Sequence, residues 1–377
     1  MITLSVIADR MLSETPSGVG RYTEELTRAL VATAPDGCQV EAIIGSHGQD
    51  APHRLRERIA GLSGVHASPL TTSQLELVWR LGRGAGSKAS LLHAPTPFAP
   101  LRDHDRSDGR QAAVTIHDLA PWRHPDSLPR GRAALLRSMA KRAERYADAL
   151  VVPTHAVAEG LAEFLDFGDR VRVIGGAVAS TLVVPRYPDV EADRLGLPQD
   201  FLLTVATPEP RKGLRPLLES LILPGAPDLP LVVVGAETWG ETSIDTLIAE
   251  VGVPPSRVRA IGVLDDRSLA LALSRARAFV YPSLDEGFPL PVVEAFHFGT
   301  PVVHSDSPAI LEVSAGAGVV VGREPAADYA ARLAEALGRV LGDSALLDRL
   351  AVLSRDRARA FSWHDSAERV WQLHADL

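Results

Sequence analysis

A rhythm of short apolar runs, separated by longer stretches with apolar residues at helical spacing, governs this chain of 377 residues. That alternation predicts βαβ units, because two parallel strands need a crossover and a helix is its usual form. Strands are expected at 3–8, 39–44, 90–93, 113–116, 149–152 and 171–174. The rhythm breaks over 183–200, where Pro185, Pro188 and Pro198 interrupt the periodicity, and resumes with strands at 201–205, 231–234, 258–261, 278–281 and 301–304. The expected architecture is two doubly wound α/β domains, 1–182 and 201–361, joined by a linker at 183–200. The tail, 362–377, places Ala367, Val370, Trp371 and either Leu373 or His374 on one helical stripe, which needs a covering surface.

Composition narrows the function classes. A formal charge of −8 argues against a nucleic-acid binder, which needs a basic footprint, so any anion site must be local. The single cysteine, Cys38, excludes an internal disulfide and a cysteine zinc cage and fits a reducing compartment. No apolar run reaches spanning length and Met1 leads straight into a strand, so a cytoplasmic location is expected. Only Lys88, Lys141 and Lys212 are lysines among 39 basic residues, which gives each a little more weight.

In doubly wound sheets ligands bind beyond the carboxyl ends of the strands, and two such domains leave a cleft as the natural site. Four segments follow predicted strands. In SGVGRYTEEL, Gly18 and Gly20 precede a helix and can admit a phosphate to its N-terminus; a plain tight turn is the alternative. In VTIHDLAPW, His117 can bond sugar hydroxyls or move a proton, with Asp118 orienting its ring or capping the next turn. His93, in LLHAPTP, has the same placement and reads more readily as structural.

The third segment, PEPRKGL, sets Arg211 and Lys212 before a helix, against its dipole, which is unfavourable unless an anion sits there. The alternative is a solvated basic turn. The fourth, SLDEGFPLPVVEAF, has Glu286 in a loop, Pro291 suited to a first helical turn and Glu294 in that turn or just after it. Each glutamate read alone is a helix cap or a surface charge; together with Pro289 and Pro291 they look preorganised. A further stretch, 130–147, carries six basic residues between Arg130 and Arg145 beside an apolar stripe. It is either a helix packed on its own domain or a peripheral contact with an anionic membrane face.

The arrangement resembles the retaining glycosyltransferases of family 4, with the GT-B fold of two Rossmann-like domains, and within them the mannosyltransferase-like branch. The resemblance runs over nearly the whole chain and is strongest over 258–321. It implies an enzyme that moves a hexose, best mannose from GDP-mannose, from a nucleotide-diphosphate sugar to a hydroxyl acceptor. That acceptor would be a saccharide, a lipid-linked saccharide or a small natural product. By resemblance, Glu286 contacts the transferred sugar, Glu294 holds the ribose, and Arg211 with Lys212 neutralises the diphosphate. Gly18 and Gly20 admit the phosphate from the first domain, and His117 lies near the sugar's exocyclic end or the acceptor. Gly262, Val263 and Leu264 border the base, Gly287, Phe288, Pro289 and Leu290 line the donor, and the tail helix crosses back onto the first domain. The implied acceptor determinants are the loops 95–110 and 120–132.

Pro289 replaces a common glycine, Gly213 a common asparagine and Thr96 another asparagine, departures that read as tuning of donor or acceptor. No Asp-x-Asp pair suited to a metal and a nucleotide is present, and Asp306 stands alone, so no metal or other cofactor is expected and the two cations stabilise the leaving diphosphate. Competing readings are a UDP- or dTDP-sugar donor, a non-catalytic sugar-nucleotide-binding subunit, and a PLP-dependent phosphorylase with Lys212 as the Schiff-base lysine. An NAD-dependent oxidoreductase lacks its glycine fingerprint here.

Overall fold

The computed structural model describes residues 1–13, 17–83, 90–105 and 108–377. Lys88, and residues 106 and 107 of the expected acceptor loop, lie outside the described residues. The chain divides into two compact units, Met1–Gly176 with Ser362–Leu377, and Ala177–Phe361.

The first unit runs β1 (Ile2–Ile7), α1 (Gly18–Ala32), β2 (Cys38–Ile44), α2 (Ala51–Arg58), β3 (Gly64–Ala67), α3 (Thr72–Arg80), β4 (Leu91–Ala94), β5 (Gln111–Thr115), α4 (Ala120–Arg123), α5 (Arg132–Tyr146), β6 (Ala149–Val152), α6 (His155–Leu161) and β7 (Val171–Val173). Among the described residues its strands lie in the order β3-β2-β1-β4-β5-β6-β7. Every pairing is parallel, with Val6 of β1 opposite His93 of β4. Central strands are largely apolar because helices cover both faces, and Leu4, Val6, Val114 and Leu150 are fully buried. The strand order reverses between β1 and β4, which makes their carboxyl ends the ligand edge.

The C-terminal helix, Trp363–Asp376, buries Ala367, Val370, Trp371, Leu373 and His374, so both residues proposed for the end of its stripe are covered. It packs on α1, where the Trp371 indole donates to the Leu30 carbonyl at 3.3 Å. α5 uses its apolar stripe in the same way: Ala133, Met139, Ala140 and Ala143 are buried in it, and Leu135, Leu136 and Tyr146 pack against the core. Two of its cations serve the unit itself. Arg132 pairs with Glu76 at 2.5 Å and lies over the Phe98 ring, and Arg142 donates to the Leu101 carbonyl at 2.9 Å. No helix among the described residues is long and apolar enough to cross a membrane.

The second unit runs α7 (Pro188–Leu195), β8 (Leu202–Val205), α8 (Leu214–Ser220), β9 (Leu231–Val234), β10 (Thr238–Trp239), β11 (Thr242–Ser243), α9 (Ile244–Val251), β12 (Val258–Ala260), α10 (Asp266–Arg275), β13 (Ala278–Tyr281), α11 (Leu290–Phe298), β14 (Val302–Ser305), α12 (Pro308–Ser314), β15 (Val319–Val321), α13 (Tyr329–Gly342) and α14 (Ser344–Ala358). Its parallel sheet has the order β12-β9-β8-β13-β14-β15, with β10 and β11 forming a separate ribbon. The reversal falls between β8 and β13. The helix of the first unit that closes the chain is α15.

Two expectations need correction. The stretch 183–200 is not a bare linker, since it contains α7 and belongs to the second unit, whose boundary lies at Gly176/Ala177. Pro188 opens that helix, as proline does at a first helical position, and Gly196 ends it with φ +60°. α7 then docks on α10, where Ser268 donates to Glu191 at 2.8 Å and Arg275 pairs with Asp189 at 2.5 Å. The strands β3 and β15, which the sequence reading does not include, are edge strands of four and three residues.

Candidate active site

The switch point of the second unit gathers the charged residues of the third and fourth segments. After β8 the chain makes a 3-10 turn, Pro210–Lys212, and after β13 a loop carries Ser283 and Glu286. Because β8 and β13 are neighbours in the sheet, these two loops meet. Lys212 Nζ donates to Glu286 Oε1 at 2.7 Å, and an Arg211 guanidinium nitrogen lies 3.5 Å from Oε2. Arg211 also pairs with Glu209 at 2.9 Å. The two loops are laced by backbone as well: Arg211 donates to the Asp285 carbonyl at 2.8 Å, and Leu284 N–H donates to the Arg211 carbonyl at 2.8 Å. The anion that the paired cations called for is therefore supplied by the chain itself.

Glu286 Oε1 takes two further donors, Tyr281 OH at 2.8 Å and Ser283 Oγ at 2.6 Å. Its side chain is 8% exposed, so a bare surface charge is not its state. Burial alone would push its carboxyl up, but Lys212, then Arg211 and the Ser283 hydroxyl, hold it at about 2. Burial followed by the Glu286 charge raises Tyr281 well above its ordinary range, so it remains a phenol that donates. The result is a fixed anion with Oε1 saturated and Oε2 left with one long contact among the described residues.

Gly213 has a packing reason that tuning of specificity does not capture. It sits at φ +67°, and a Cβ there would come within 2.2 Å of the Pro282 carbonyl oxygen. Only glycine lets the cationic turn approach the Glu286 loop so closely. Thr96, another of the three departures, has a local task in the first unit: its hydroxyl accepts from Phe98 N–H at 3.3 Å.

Glu294 lies in α11 just beyond its first turn and is buried to 2% exposure. It does not cap the helix; the residue at the N-cap is Pro289, with no side-chain hydrogen bond. The approach to α11 is tightly turned. Leu290 N–H bonds the Phe288 carbonyl at 2.9 Å, Val292 N–H bonds the Pro289 carbonyl at 2.9 Å, and Pro289 and Pro291 have no N–H. Gly287 and Pro289 are buried, while Phe288 packs edge to face on Phe361. Of the three residues proposed near the base, Gly262 turns the chain at φ +72° with its carbonyl bonded by Gly235 N–H at 2.9 Å. Val263 exposes its side chain, and Leu264 packs into the core.

In the first unit Gly18 and Gly20 do not precede α1 but form its first turn, after Ser17, whose hydroxyl accepts from Gly20 N–H at 3.1 Å. They have different duties. A Cβ on Gly20 would lie 2.9 Å from the Arg10 carbonyl oxygen, whereas one on Gly18 would meet nothing within 4 Å. Gly20→Ala is thus expected to destabilise the protein by about 1–2 kcal/mol through local overpacking, read as a lower denaturation midpoint. Gly18→Ala should leave that midpoint unchanged, and a Gly18 variant as destabilised as the Gly20 one would remove the distinction.

His117 follows β5 and its Nε2 lies 2.8 Å from the Pro95 carbonyl oxygen. A carbonyl only accepts, so Nε2 carries the proton and Nδ1 presents its lone pair. Burial lowers the pKa of this histidine, against the Pro95 carbonyl and Asp118, which keeps it neutral at neutral pH. Tyr22 packs edge-on against the ring at 4.8 Å. Asp118 takes the capping option, accepting from Ala120 N–H at 3.1 Å, so Pro95 rather than Asp118 orients the ring. His93 is fully buried beside His374, in keeping with its structural reading.

Sequence reasoning missed Tyr281, Ser283, Glu209 and Arg323. The first two stand five and three residues before Glu286 at a strand end, a position that could have flagged them. Arg323 pairs with Asp306 at 2.6 Å, so that aspartate is not solitary, and nothing in the spacing announces the pair. Among the described residues no group of three or more His, Cys, Asp or Glu is assembled as a metal site.

Two doubly wound parallel units, one with a buried carboxylate clamped by two cations at its switch point, are the architecture of the GT-B fold. Comparison with known proteins gives the family. The family model described as Glycosyltransferase Family 4 matches residues 16–182, and that described as Glycosyl transferases group 1 matches 190–350. The chain belongs to glycosyltransferase family 4. It is 26% identical over 375 residues to O-antigen chain mannosyltransferase B of Escherichia coli, covering 93% of each chain. It is 31% identical over 262 residues to MMP alpha-(1->4)-mannosyltransferase of Mycolicibacterium hassiacum, covering 68% of this chain and 60% of that protein. Among solved structures, Anabaena HepE in complex with UDP-glucose superposes over the full length of both chains with a TM-score of 0.74 at 16% identity, a likeness of fold.

Proposed function

We propose that this glycosyltransferase moves a mannosyl residue from GDP-mannose to an acceptor hydroxyl with retention of anomeric configuration. The observation that carries the reading is the buried Glu286 carboxylate held by Lys212 and Arg211 at the carboxyl end of the sheet. A donor diphosphate arriving there competes with Glu286 for the two cations, while the Tyr281 and Ser283 hydroxyls remain as donors to the carboxylate. As the glycosidic bond breaks, the cations stabilise the leaving diphosphate and the Glu286 Oε2 edge faces the cationic sugar. Glu294 holds the ribose. The acceptor hydroxyl attacks on the face the diphosphate leaves, and the diphosphate takes its proton. The two cations do the work that a metal would do, so no cofactor is required.

The mannosyl assignment draws on the names of the two relatives, both mannosyltransferases. A UDP-sugar donor is the second reading, supported by the UDP-glucose held by Anabaena HepE. A thermal-shift panel of GDP, UDP, dTDP and their sugars separates the two, because a ligand at 100 times its Kd stabilises by about 2.7 kcal/mol. GDP and GDP-mannose are expected to raise Tm most; a larger shift with UDP compounds would reverse the donor. Turnover of GDP-mannose should persist in excess chelator, and activity that vanished there and returned with a divalent ion would overturn the metal-free reading. The anomeric configuration of the product, read by NMR, tests retention.

A further inference from the structure

Four consecutive carbonyls lead from β13 to Glu286, and each accepts a hydrogen bond from a side chain on a different segment. Tyr329 OH, at the start of α13, donates to Pro282 O at 3.0 Å. Ser305 Oγ, at the end of β14, donates to Ser283 O at 2.5 Å. The Arg323 guanidinium, from the loop after β15, donates to Leu284 O. Arg211 donates to Asp285 O at 2.8 Å. Loop carbonyls in proteins usually bond water or nearby backbone, so a run of four taken by side chains leaves the segment no local freedom.

The outer members are themselves fixed. Tyr329 is buried to 2% exposure and Ser305 is fully buried. Arg323 is oriented by Asp306, which accepts from its Nε at 2.6 Å and from its backbone N–H at 3.1 Å. Asp306 stays ionised: burial would raise its carboxyl, but the Arg323 bonds outweigh that and lower it. Arg323, Tyr329 and Ser305 bond the backbone that aims Glu286 rather than the carboxylate, whose donors are Lys212, Arg211, Tyr281 and Ser283.

We propose that Arg323, Tyr329 and Ser305 are positioning residues for Glu286, and that Asp306 serves by orienting Arg323. The inference rests on the proposed contact of Glu286 with the transferred sugar. A carboxylate that must meet a sugar carbon in one geometry gains from a rigid loop, because a displacement of about 1 Å can cost on the order of 100-fold in rate.

The test uses the full-length protein, GDP-mannose hydrolysis or transfer for turnover, GDP for binding, and amide exchange of peptides spanning 283–288. Tyr329→Phe and Ser305→Ala each remove one hydroxyl and are expected to lower kcat by roughly 3–10-fold, and Arg323→Ala by roughly 10–100-fold. KM and GDP affinity should stay within about twofold in each case, since Arg211 and Lys212 are untouched. Exchange over 283–288 should quicken in all three, a readout that stands even if the donor has been misassigned. Tyr329→Phe guards against an Arg323 variant that fails to fold. Wild-type kcat with unchanged exchange in Tyr329→Phe and Ser305→Ala would overturn the proposal, as would a loss that appeared wholly in GDP affinity. Glu286→Gln run alongside separates the two levels: if it is inactive while the positioning variants are normal, only the positioning role falls. If it is fully active, the role of Glu286 itself falls.

Discussion

Glu286→Gln is expected to lower turnover by about 10²–10³-fold while free nucleoside diphosphate binds as well as before or more tightly. The amide keeps the volume and one acceptor oxygen for Tyr281, Ser283 and Lys212, so the loop should hold its shape. What disappears is the negative charge facing the sugar. Its loss also removes the carboxylate partner of Lys212 and one of the two that Arg211 has, so a diphosphate meets less internal competition for the cations. Steady-state kinetics and calorimetry with GDP check both halves. Undiminished turnover would remove Glu286 from the chemistry; lost GDP binding would assign it to donor affinity instead.

Lys212→Ala should lower kcat/KM by roughly 30–100-fold, the effect of removing a charge-assisted contact worth about 2–3 kcal/mol. It should also destabilise the fold, because Glu286 stays buried with one cation fewer. The acid side gives a second handle. The folded carboxyl sits at about 2 against an ordinary 4.5, so its stabilising contribution is fully present above pH 4.5 and is lost as pH falls toward 2. Its size is on the order of 3 kcal/mol, at 1.36 kcal/mol per pKa unit. In Lys212→Ala the carboxyl rises, so the variant's deficit is largest at neutral pH and shrinks as acid protonates Glu286. Denaturation midpoints of both proteins between pH 7 and pH 3 test this. A deficit that grows toward acid would mean the Lys212–Glu286 pair does not carry it.

Several features needed no neighbour to be legible. The strand at 278–281 and the helix after Pro289 follow from local pattern, and those together place Glu286 in a loop after a strand and Glu294 just inside a helix. The conflict between two cations and a helix start likewise points to an anion near Lys212. Local reading fails where one residue type has two uses. Pro188 reads as a breaker and yet starts a helix, and Gly20 reads as room for phosphate and yet makes room for the Arg10 carbonyl.

The sequence by itself determined the two doubly wound units, the strand-end address of each charged residue, and the family. It could do so because periodicity, caps and short motifs are properties of neighbours along the chain. Only the tertiary structure decided which of those residues meet. Lys212 and Glu286 are 74 positions apart and touch because β13 lies beside β8 in the sheet, out of chain order. That adjacency turns two exposed-looking charges into a close ion pair and requires glycine at position 213 where the two loops press together, while the β13-β14-β15 order on the other side brings Arg323 to Leu284.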